Sequence, residues 1–449
     1  MEKVDVLIIG GSAAGLVAGM TAKSKNPTKR VMLIRKEEKV MIPCGIPYIY
    51  GALGNSEDNI LPDAGLVSLG VEIVVDAVTE IDKDNRQCKT ESGREVEFEK
   101  LIIATGSQPF KPTWLKGSDL KNVFTIPKDK NYLDQLLNSM NQFENVVVVG
   151  AGFIGVEISD EMNKAGKKVT LIEIQDHILG MAFDEEFARQ AEENLKSRGV
   201  EILTSAAIES INGEGAVSSI KLTTGEVRKA EAVILSMGYR PNVELAQKAG
   251  IQMNDKGFIS VDEYMRTSTP NIFAAGDCAS KRDFATGKIS TIMLASTACA
   301  EARVAGLNLY DLSTFKSFGG TIGIYSTNIG ATSYGVAGLT ERSAKAEGFK
   351  IIVGSFTGVD RHPGKLNNSH PQTVKLIVSK DTGKILGGAV TGGNSAGELI
   401  NVIGFIIQAG YTLTDLLVSQ IGTQPMLTAS PAAYPLIKAA EVVLKQMNV

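Results

Sequence analysis

Short, almost wholly apolar runs recur along the chain, and most of them end in a cluster of small residues. Val4–Ile9, Arg30–Ile34, Val146–Val149, Lys168–Ile172, Ala232–Ser236 and the stretch from Ile272 to Ala275 are of this kind. Strands buried on both faces of a parallel sheet read as continuous apolar runs, whereas half-exposed strands alternate. Helix-like stretches separate the runs, so the pattern predicts strand–turn–helix–strand units and a mainly parallel α/β fold. Val71–Val78 reads as one further strand, and Lys83–Glu99 as a β-hairpin closing at Ser92-Gly93. Leu101-Ile102-Ile103 reads as another buried strand, running into the small-residue turn Ala104-Thr105-Gly106-Ser107-Gln108-Pro109. After Ile289 a helix-like stretch runs through Ala295 to Gly306.

From about Gly320 the texture changes. Strand-like runs (Gly319–Ser326, Lys350–Phe356, Thr373–Val378 and Gly387–Thr391) are joined by turns such as Lys380-Asp381-Thr382-Gly383. Two amphipathic helices follow, Ala396–Gln408 and Leu413–Val418, and then a tail to Val449. This predicts an antiparallel sheet with helices on one side, an α+β interaction domain.

Two of the small-residue clusters carry chemistry. Gly10-Gly11-Ser12-Ala13-Ala14-Gly15 follows a strand, opens a helix through Lys25, and is followed by a second strand. That is the context of the dinucleotide turn GxGxxG: one glycine for the tight turn, a small second residue for pyrophosphate approach, a third glycine for helix–strand packing. Ser12 takes the second glycine's place. The second strand ends in Arg35, which cannot accept the ribose hydrogen bond that an acid there would accept; Glu37 and Glu38 are the nearest substitutes. Gly150-Ala151-Gly152-Phe153-Ile154-Gly155 repeats the turn unbroken, and its second strand ends in Glu173. A carboxylate there accepts from a ribose 2′-hydroxyl and repels a 2′-phosphate. With no arginine from Ile174 to Met181, NADH is the expected donor and NADPH the alternative. The chain thus reads as two Rossmann-like dinucleotide-binding domains plus the C-terminal α+β domain.

The bulk numbers narrow the class. In 449 residues, 43% are hydrophobic and 21% charged, with a net charge of −4, which gives no case for nucleic acid or anionic membrane. The four cysteines (Cys44, Cys88, Cys278, Cys299) are far apart in sequence, without a CxxC or a metal-like cluster, as suits a reducing compartment. A strand at the very start leaves no room for a signal peptide, and the apolar run Leu399–Ile407 is too short to span a bilayer. A cytoplasmic enzyme is expected. Cys44 lies in Met41-Ile42-Pro43-Cys44-Gly45-Ile46-Pro47-Tyr48, between the first dinucleotide unit and an apolar, helix-like run. A thiol there, near backbone N–H groups and a bound cofactor, is expected to have a lowered pKa.

Taken in order, these motifs resemble the flavin-dependent pyridine nucleotide–disulfide oxidoreductases over essentially the whole chain: the two glycine turns, the Ala104–Pro109 turn, Gly238-Tyr239-Arg240-Pro241-Asn242, and the strand end Ala274-Ala275-Gly276-Asp277. The lone Cys44, with Ile49 where two-cysteine members carry the partner thiol, is similar to the subgroup of coenzyme A–disulfide reductases, NAD(P)H sulfur or persulfide reductases, and NADH oxidases and peroxidases. The resemblance implies FAD in a split first domain (residues 1–112 and 246–318), NADH in residues 113–245, and a homodimer formed through residues 319–449. It implies that Gly10, Ser12, Ala13, Ala14 and Gly15 hold the FAD pyrophosphate. Arg35, Lys36, Val78, Thr105, Gly106 and Ser107 would lie along the dinucleotide. Asp277 would take the ribitol, with Leu294, Ala295 and Thr297 near the isoalloxazine. Gly152, Ile154, Gly155, Glu173 and Gly238 would hold NADH, with Phe153 a gate over the flavin and Glu157 an acid facing the nicotinamide. A core aromatic and a solvated helix residue are the plain alternatives for Phe153 and Glu157.

The departures bear on the acceptor. Ala13 stands where peroxidases and water-forming oxidases of the subgroup carry a histidine. Gln424, in Gly422-Thr423-Gln424-Pro425-Met426-Leu427-Thr428, stands where lipoamide-type reductases carry one. His177, His362 and His370 are scattered and read as surface or loop residues, although His362 and His370 could approach a partner's site. Tyr434 offers a hydroxyl, with a packed tyrosine the commoner use. Cys88 and Cys299 read as inert, and Cys278, next to Asp277, as packing. The expected reaction passes electrons from NADH through FAD to Cys44 and on to a small-molecule disulfide, persulfide or polysulfide. The alternatives are an NADH oxidase, a reductase of a small electron-transfer protein, and a redox-sensing binding protein.

Overall fold

The computed structural model describes residues 1–312 and 317–447. Residues 313–316, inside the expected segment 246–318, and the last two of 319–449 lie outside the described residues.

A seven-stranded sheet is centred on Glu2–Ile9, which pairs in parallel with Val31–Arg35 on one side and Glu95–Ile103 on the other. Val6–Ile9 is apolar and buried because helices Ala13–Lys25 and Ala295–Leu307 cover one face and Ile81, Cys88, Val243 and Ile259 pack on the other. Glu95–Ile103 is shared: its first half pairs antiparallel with Gln87–Thr90, its second half in parallel with Ile272–Ala274. The hairpin forms as expected, but its second arm and the strand at Leu101 are one continuous strand, a correction to the sequence reading. Its far half is as buried as a central strand because Ile272–Ala274, 171 residues further along the chain, pairs with it. Val71–Val78 is also corrected. It is two strands, Glu72–Val75 and Val78–Asp82, broken where Asp76 turns its carboxylate onto the N–H of Ala77 at 2.8 Å.

The second sheet has five strands, all parallel, in the order Glu201–Leu203, Lys168–Ile172, Asn145–Val149, Ala232–Leu235, Val123–Phe124. Its core continues without a break into Ile46, Ile49 and Tyr50 on one side and Ile329, Tyr334 and Val336 on the other. The cysteine-bearing segment and the C-terminal domain are thus both packed onto this unit.

The C-terminal sheet is antiparallel, in the order Tyr325–Ile329, Thr332–Gly338, Ile385–Gly392, Pro371–Ser379, Ile351–Val359. Helices Ser395–Ala409 and Pro435–Met447 bury their apolar sides with Val374, Leu376, Val378 and Val390. The expected strand Gly319–Ser326 begins only at Tyr325, because Gly320 and Gly323 adopt φ of +108° and +70° and cannot continue an extended run. Thr332–Gly338 was not foreseen. It pairs back across the turn at Gly330, and its own burial on both sides hides the alternation a hairpin would show. The tail, expected without structure, forms the helix Pro435–Met447. Among the described residues no helix is long and apolar enough to cross a membrane.

Candidate active site

The two glycine turns are built alike. Gly10 (φ +108°) and Gly150 (φ +99°) are left-handed, and a Cβ on either would fall 2.2 Å and 2.4 Å from the carbonyl oxygens of Ala104 and Ser236. A Cβ on Gly15 or Gly155 would fall 1.8 Å or 1.9 Å from the carbonyl of the turn's own first glycine. Both turns therefore need glycine at these positions. Helices Ala13–Lys25 and Phe153–Lys164 start directly after them, with no side-chain cap and no acid in the first turn. Their first N–H groups are left free to bind an anion, and the helix dipole favours one. The donor set at Ser12, Ala13 and Ala14 fits a pyrophosphate, as FAD requires.

The strand ends differ. Glu173 is poised at the second turn, accepting from the N–H groups of Ala151 at 2.6 Å and Gln175 at 2.9 Å. Arg35 is buried, and its guanidinium grips both oxygens of Asp63 at 2.5 and 2.6 Å and the carbonyls of Glu37 and Glu38. Asp63, remote in sequence, thus brings a carboxylate to the end of the second strand. The sequence reading missed it, and only the fold reveals it. Lys36 is exposed beside Glu37, and Val78 lies part-buried against the first sheet's core.

Strand Ile272–Ala274 delivers Asp277, whose Oδ2 accepts from Ser107 Oγ at 2.7 Å and Lys128 Nζ at 3.0 Å. Burial drives this carboxyl up, but the Lys128 charge and the Ser107 hydroxyl outweigh it and hold Asp277 below the usual carboxylate range. No motif marks Lys128. Thr105 and Gly106 bond to Asn242, and Ser107–Pro109 pairs antiparallel with Tyr239–Pro241, next to Gly238, so the two small-residue turns tie the two nucleotide units together. Leu294 caps helix Ala295–Leu307; Thr297, on its first turn, hydrogen-bonds Thr321 at 2.9 Å. Beneath Asp277, Glu301 on the same helix accepts from the Gly276 N–H at 2.7 Å and pairs with the buried Lys281 at 3.6 Å.

Cys44 sits on the 3₁₀ helix Pro43–Tyr50, its side chain free and exposed. Gly45 beside it is required, since a Cβ there would meet Asn59 Oδ1 at 1.9 Å. The expected lowering of its pKa is not what the protein alone produces. Crowding by neighbouring protein and the Glu157 carboxylate push the thiol up, and only the Lys128 charge opposes them. The 3₁₀ helix packs on helix Phe153–Lys164, where the Ala52 N–H donates to Glu161 at 2.6 Å. From that helix, half-buried Glu157 accepts from Thr327 Oγ1 at 2.8 Å. Desolvation pushes its carboxyl up to about 7, Thr327 opposing and Glu161 adding to the shift. Phe153 stacks on Tyr325, with centroids 4.9 Å apart and planes at 8°. Neither is a solvated residue. Ile154 and Gly155 continue the helix.

The C-terminal segment gathers elsewhere. Exposed Gln424 turns its side-chain oxygen onto the Met426 N–H, and His362 Nδ1 lies 2.9 Å from the Thr428 carbonyl. His370 faces Asp360, His177 faces Glu192, and Tyr434 packs half-buried against the C-terminal core.

Two glycine turns that end parallel strands and open helices, with a thiol on the segment between them, fit an oxidoreductase that carries two dinucleotides. The chain belongs to the pyridine nucleotide-disulphide oxidoreductases: the family's model matches residues 4–302. The family's dimerisation domain matches residues 326–433. It is an FAD-dependent enzyme that uses NAD(P)H. It is 31% identical over 448 residues to an NAD(P)H coenzyme A polysulfide/persulfide reductase of Pyrococcus horikoshii, covering 98% of each chain. It is 30% identical over 457 residues to an NADH oxidase of Methanocaldococcus jannaschii, covering 98% of this chain and 99% of the relative. Its structure matches that of an NAD-dependent persulfide reductase from A. fulgidus with a TM-score of 0.91 at 29% identity, over 99% of this chain and 84% of the other.

Proposed function

We propose that this enzyme reduces a sulfur–sulfur bond in a small molecule (a persulfide, polysulfide or coenzyme A disulfide) at Cys44. The observation that carries the reading is the exposed, unpaired Cys44 thiol, packed against the helix that bears the second dinucleotide turn. The persulfide reductases among its relatives support it. Gly10, Ser12–Gly15, Thr105–Ser107, Lys128, Asp277 and helix Ala295–Leu307 hold FAD, in segments 1–112 and 246–318. Gly152, Ile154, Gly155, Glu173 and Gly238 hold NADH, in segment 113–245, and residues from 319 onward pair two subunits. Glu173 favours NADH, because its carboxylate accepts from a 2′-hydroxyl and repels a 2′-phosphate. Four free thiols suit a reducing, cytoplasmic setting.

Bound FAD supplies the two-electron relay between nicotinamide and sulfur. The residues of the chain do the rest. Lys128 favours the Cys44 thiolate against the crowding and the Glu157 charge that oppose it. The thiolate attacks one sulfur of the acceptor, forming a mixed disulfide and expelling the other sulfur as a thiolate or hydrosulfide. Two electrons and a proton then free the second fragment as a thiol and restore the Cys44 thiolate. Ionised Glu157 steadies the positive charge that the nicotinamide ring gains on losing hydride. The NADH oxidase among the relatives supports a second reading, in which oxygen is the acceptor.

The test is NADH consumption by wild type and Cys44→Ser with polysulfide, persulfide, coenzyme A disulfide and oxygen. Sulfur-acceptor turnover falls to background in the variant. If the variant keeps it, the reading fails. If only oxygen is consumed, and equally by both proteins, the oxidase reading takes its place.

A further inference from the structure

The strand Tyr325–Ile329 lies along helix Phe153–Lys164, and the two are in step. Tyr325, Thr327 and Ile329 project from one face of the strand, at intervals of about 6.6 Å. Phe153, Glu157 and Asp160 share one face of the helix, the first pair about 6 Å apart along the axis. The match produces three successive contacts. Tyr325 stacks on Phe153, Thr327 Oγ1 donates to Glu157 Oε1 at 2.8 Å, and the Gly330 N–H, just past the strand, lies 3.4 Å from Asp160 Oδ2. Asn194 closes the end of the row, donating to the Ile329 carbonyl at 2.9 Å. Phe183 flanks Phe153 with a centroid separation of 6.1 Å.

We propose that Tyr325 and Thr327, supplied by the C-terminal domain, are positioning residues for the nicotinamide side of the site: Tyr325 parks the Phe153 ring and Thr327 orients the Glu157 carboxylate. The inference rests on the reading of Phe153 and Glu157 as residues that face the nicotinamide. Entry of the nicotinamide then requires Phe153 to leave its stack, so the strand adds to the free energy of opening. Among the described residues Thr327 is the one hydroxyl hydrogen-bonded to Glu157, and its bond favours the ionised carboxylate. Desolvation and Glu161 on the same helix act the other way. From the 3₁₀ helix, Cys44 and Tyr48 also feel the Glu157 charge. The domain that pairs subunits in this family thereby reaches the hydride-transfer chemistry.

The experiment uses the flavin-loaded enzyme. Anaerobic stopped-flow reduction of the flavin by NADH is followed against pH for wild type, Thr327→Val, Thr327→Ser and Glu157→Gln. The wild-type rate rises through about pH 7 as Glu157 ionises. Thr327→Val moves that rise up by about one pH unit, the effect of removing one hydrogen bond to a charged group. Thr327→Ser restores the wild-type midpoint, which a merely structural role would not predict. Glu157→Gln flattens the profile. NAD⁺ binding, read by calorimetry, tightens about three- to tenfold in Tyr325→Leu, which no longer holds Phe153 back. A Thr327→Val midpoint equal to wild type, alongside a flat Glu157→Gln profile, overturns the inference and leaves the role of Glu157 intact. A Glu157→Gln profile equal to wild type overturns both. Unchanged or weaker NAD⁺ binding in Tyr325→Leu refutes the parking of Phe153.

Discussion

The pair Lys281–Glu301 holds up the turn that presents Asp277, and its removal has a calculable signature. Both side chains are shut away from water, at 1% and 0% exposure. Lys281 Nζ donates to the carbonyls of Gly276 at 3.2 Å and Ala279 at 2.8 Å, while Glu301 Oε2 takes the Gly276 N–H at 2.7 Å. Gly276 is left-handed at φ +84°, wedged between Ala14 and Ala298, so the turn has no other geometry to relax into. Glu301→Leu leaves a buried ammonium without its partner, and Lys281→Met leaves a buried carboxylate. Each costs about 3–5 kcal/mol. The double variant leaves no lone charge; the Gly276 N–H and the Ala279 carbonyl that it leaves unpaired are each already unpaired in one of the single variants. The double variant is therefore destabilised by less than the sum of the two single effects, with a coupling energy of at least about 3 kcal/mol. The assay is urea-induced release of the flavin from the holoenzyme, followed by fluorescence. A pH dependence accompanies it. Burial pushes Glu301 up from 4.5 to about 7 against the pull of Lys281. Between those values the folded protein holds a proton that the unfolded chain gives up, so this contribution is present at low pH and is lost as pH rises toward 7. Glu301→Gln removes that slope. Additive single and double effects, or a slope that survives in Glu301→Gln, would refute the account.

Two further predictions concern the ends of the electron path. Lys128→Met removes the cation that Asp277 and Cys44 share, so alkylation of Cys44 by iodoacetamide at fixed pH slows several-fold; an unchanged rate shows that Lys128 does not act on the thiol. Glu173→Ala frees the second turn of its carboxylate, so KM for NADPH falls at least about fivefold while KM for NADH rises; parallel changes for both donors would mean that Glu173 does not read the ribose.

Much of the fold was legible because its signals are local. Gly10 and Gly150 adopt a positive φ in a strand–turn–helix spacing that the sequence displays, and a stretch such as Val6–Ile9 must be apolar throughout if both its faces are covered. What escaped was set by distant neighbours. The length of Glu95–Ile103 depends on Ile272–Ala274, and the carboxylate at the end of the second strand arrives from Asp63 by way of Arg35. Lys128 sits in no motif, and its importance comes from Asp277 and Ser107, which the fold brings to it. For Cys44 the sequence shows the local backbone N–H groups, whereas the crowding and the Glu157 carboxylate that raise the thiol in the protein alone come from the fold.

One helix explains why these parts are assembled as they are. The first turn of Phe153–Lys164 stands at the second glycine turn. Further along, its acids face three ways. Glu157 meets Thr327 of the C-terminal domain, Asp160 takes Arg198 and the Gly330 N–H, and Glu161 takes the Ala52 N–H just beyond the cysteine-bearing 3₁₀ helix. Asp160 and Glu161 are buried, and each buried polar group costs free energy unless its hydrogen bonds are made. A displacement of the thiol segment or of the C-terminal strand would take one hydrogen bond from a buried acid, leaving Glu161 to Lys164 and Asp160 to Lys164 and Arg198. Through those bonds one helix ties the sulfur-bearing segment and the C-terminal strand to the second glycine turn.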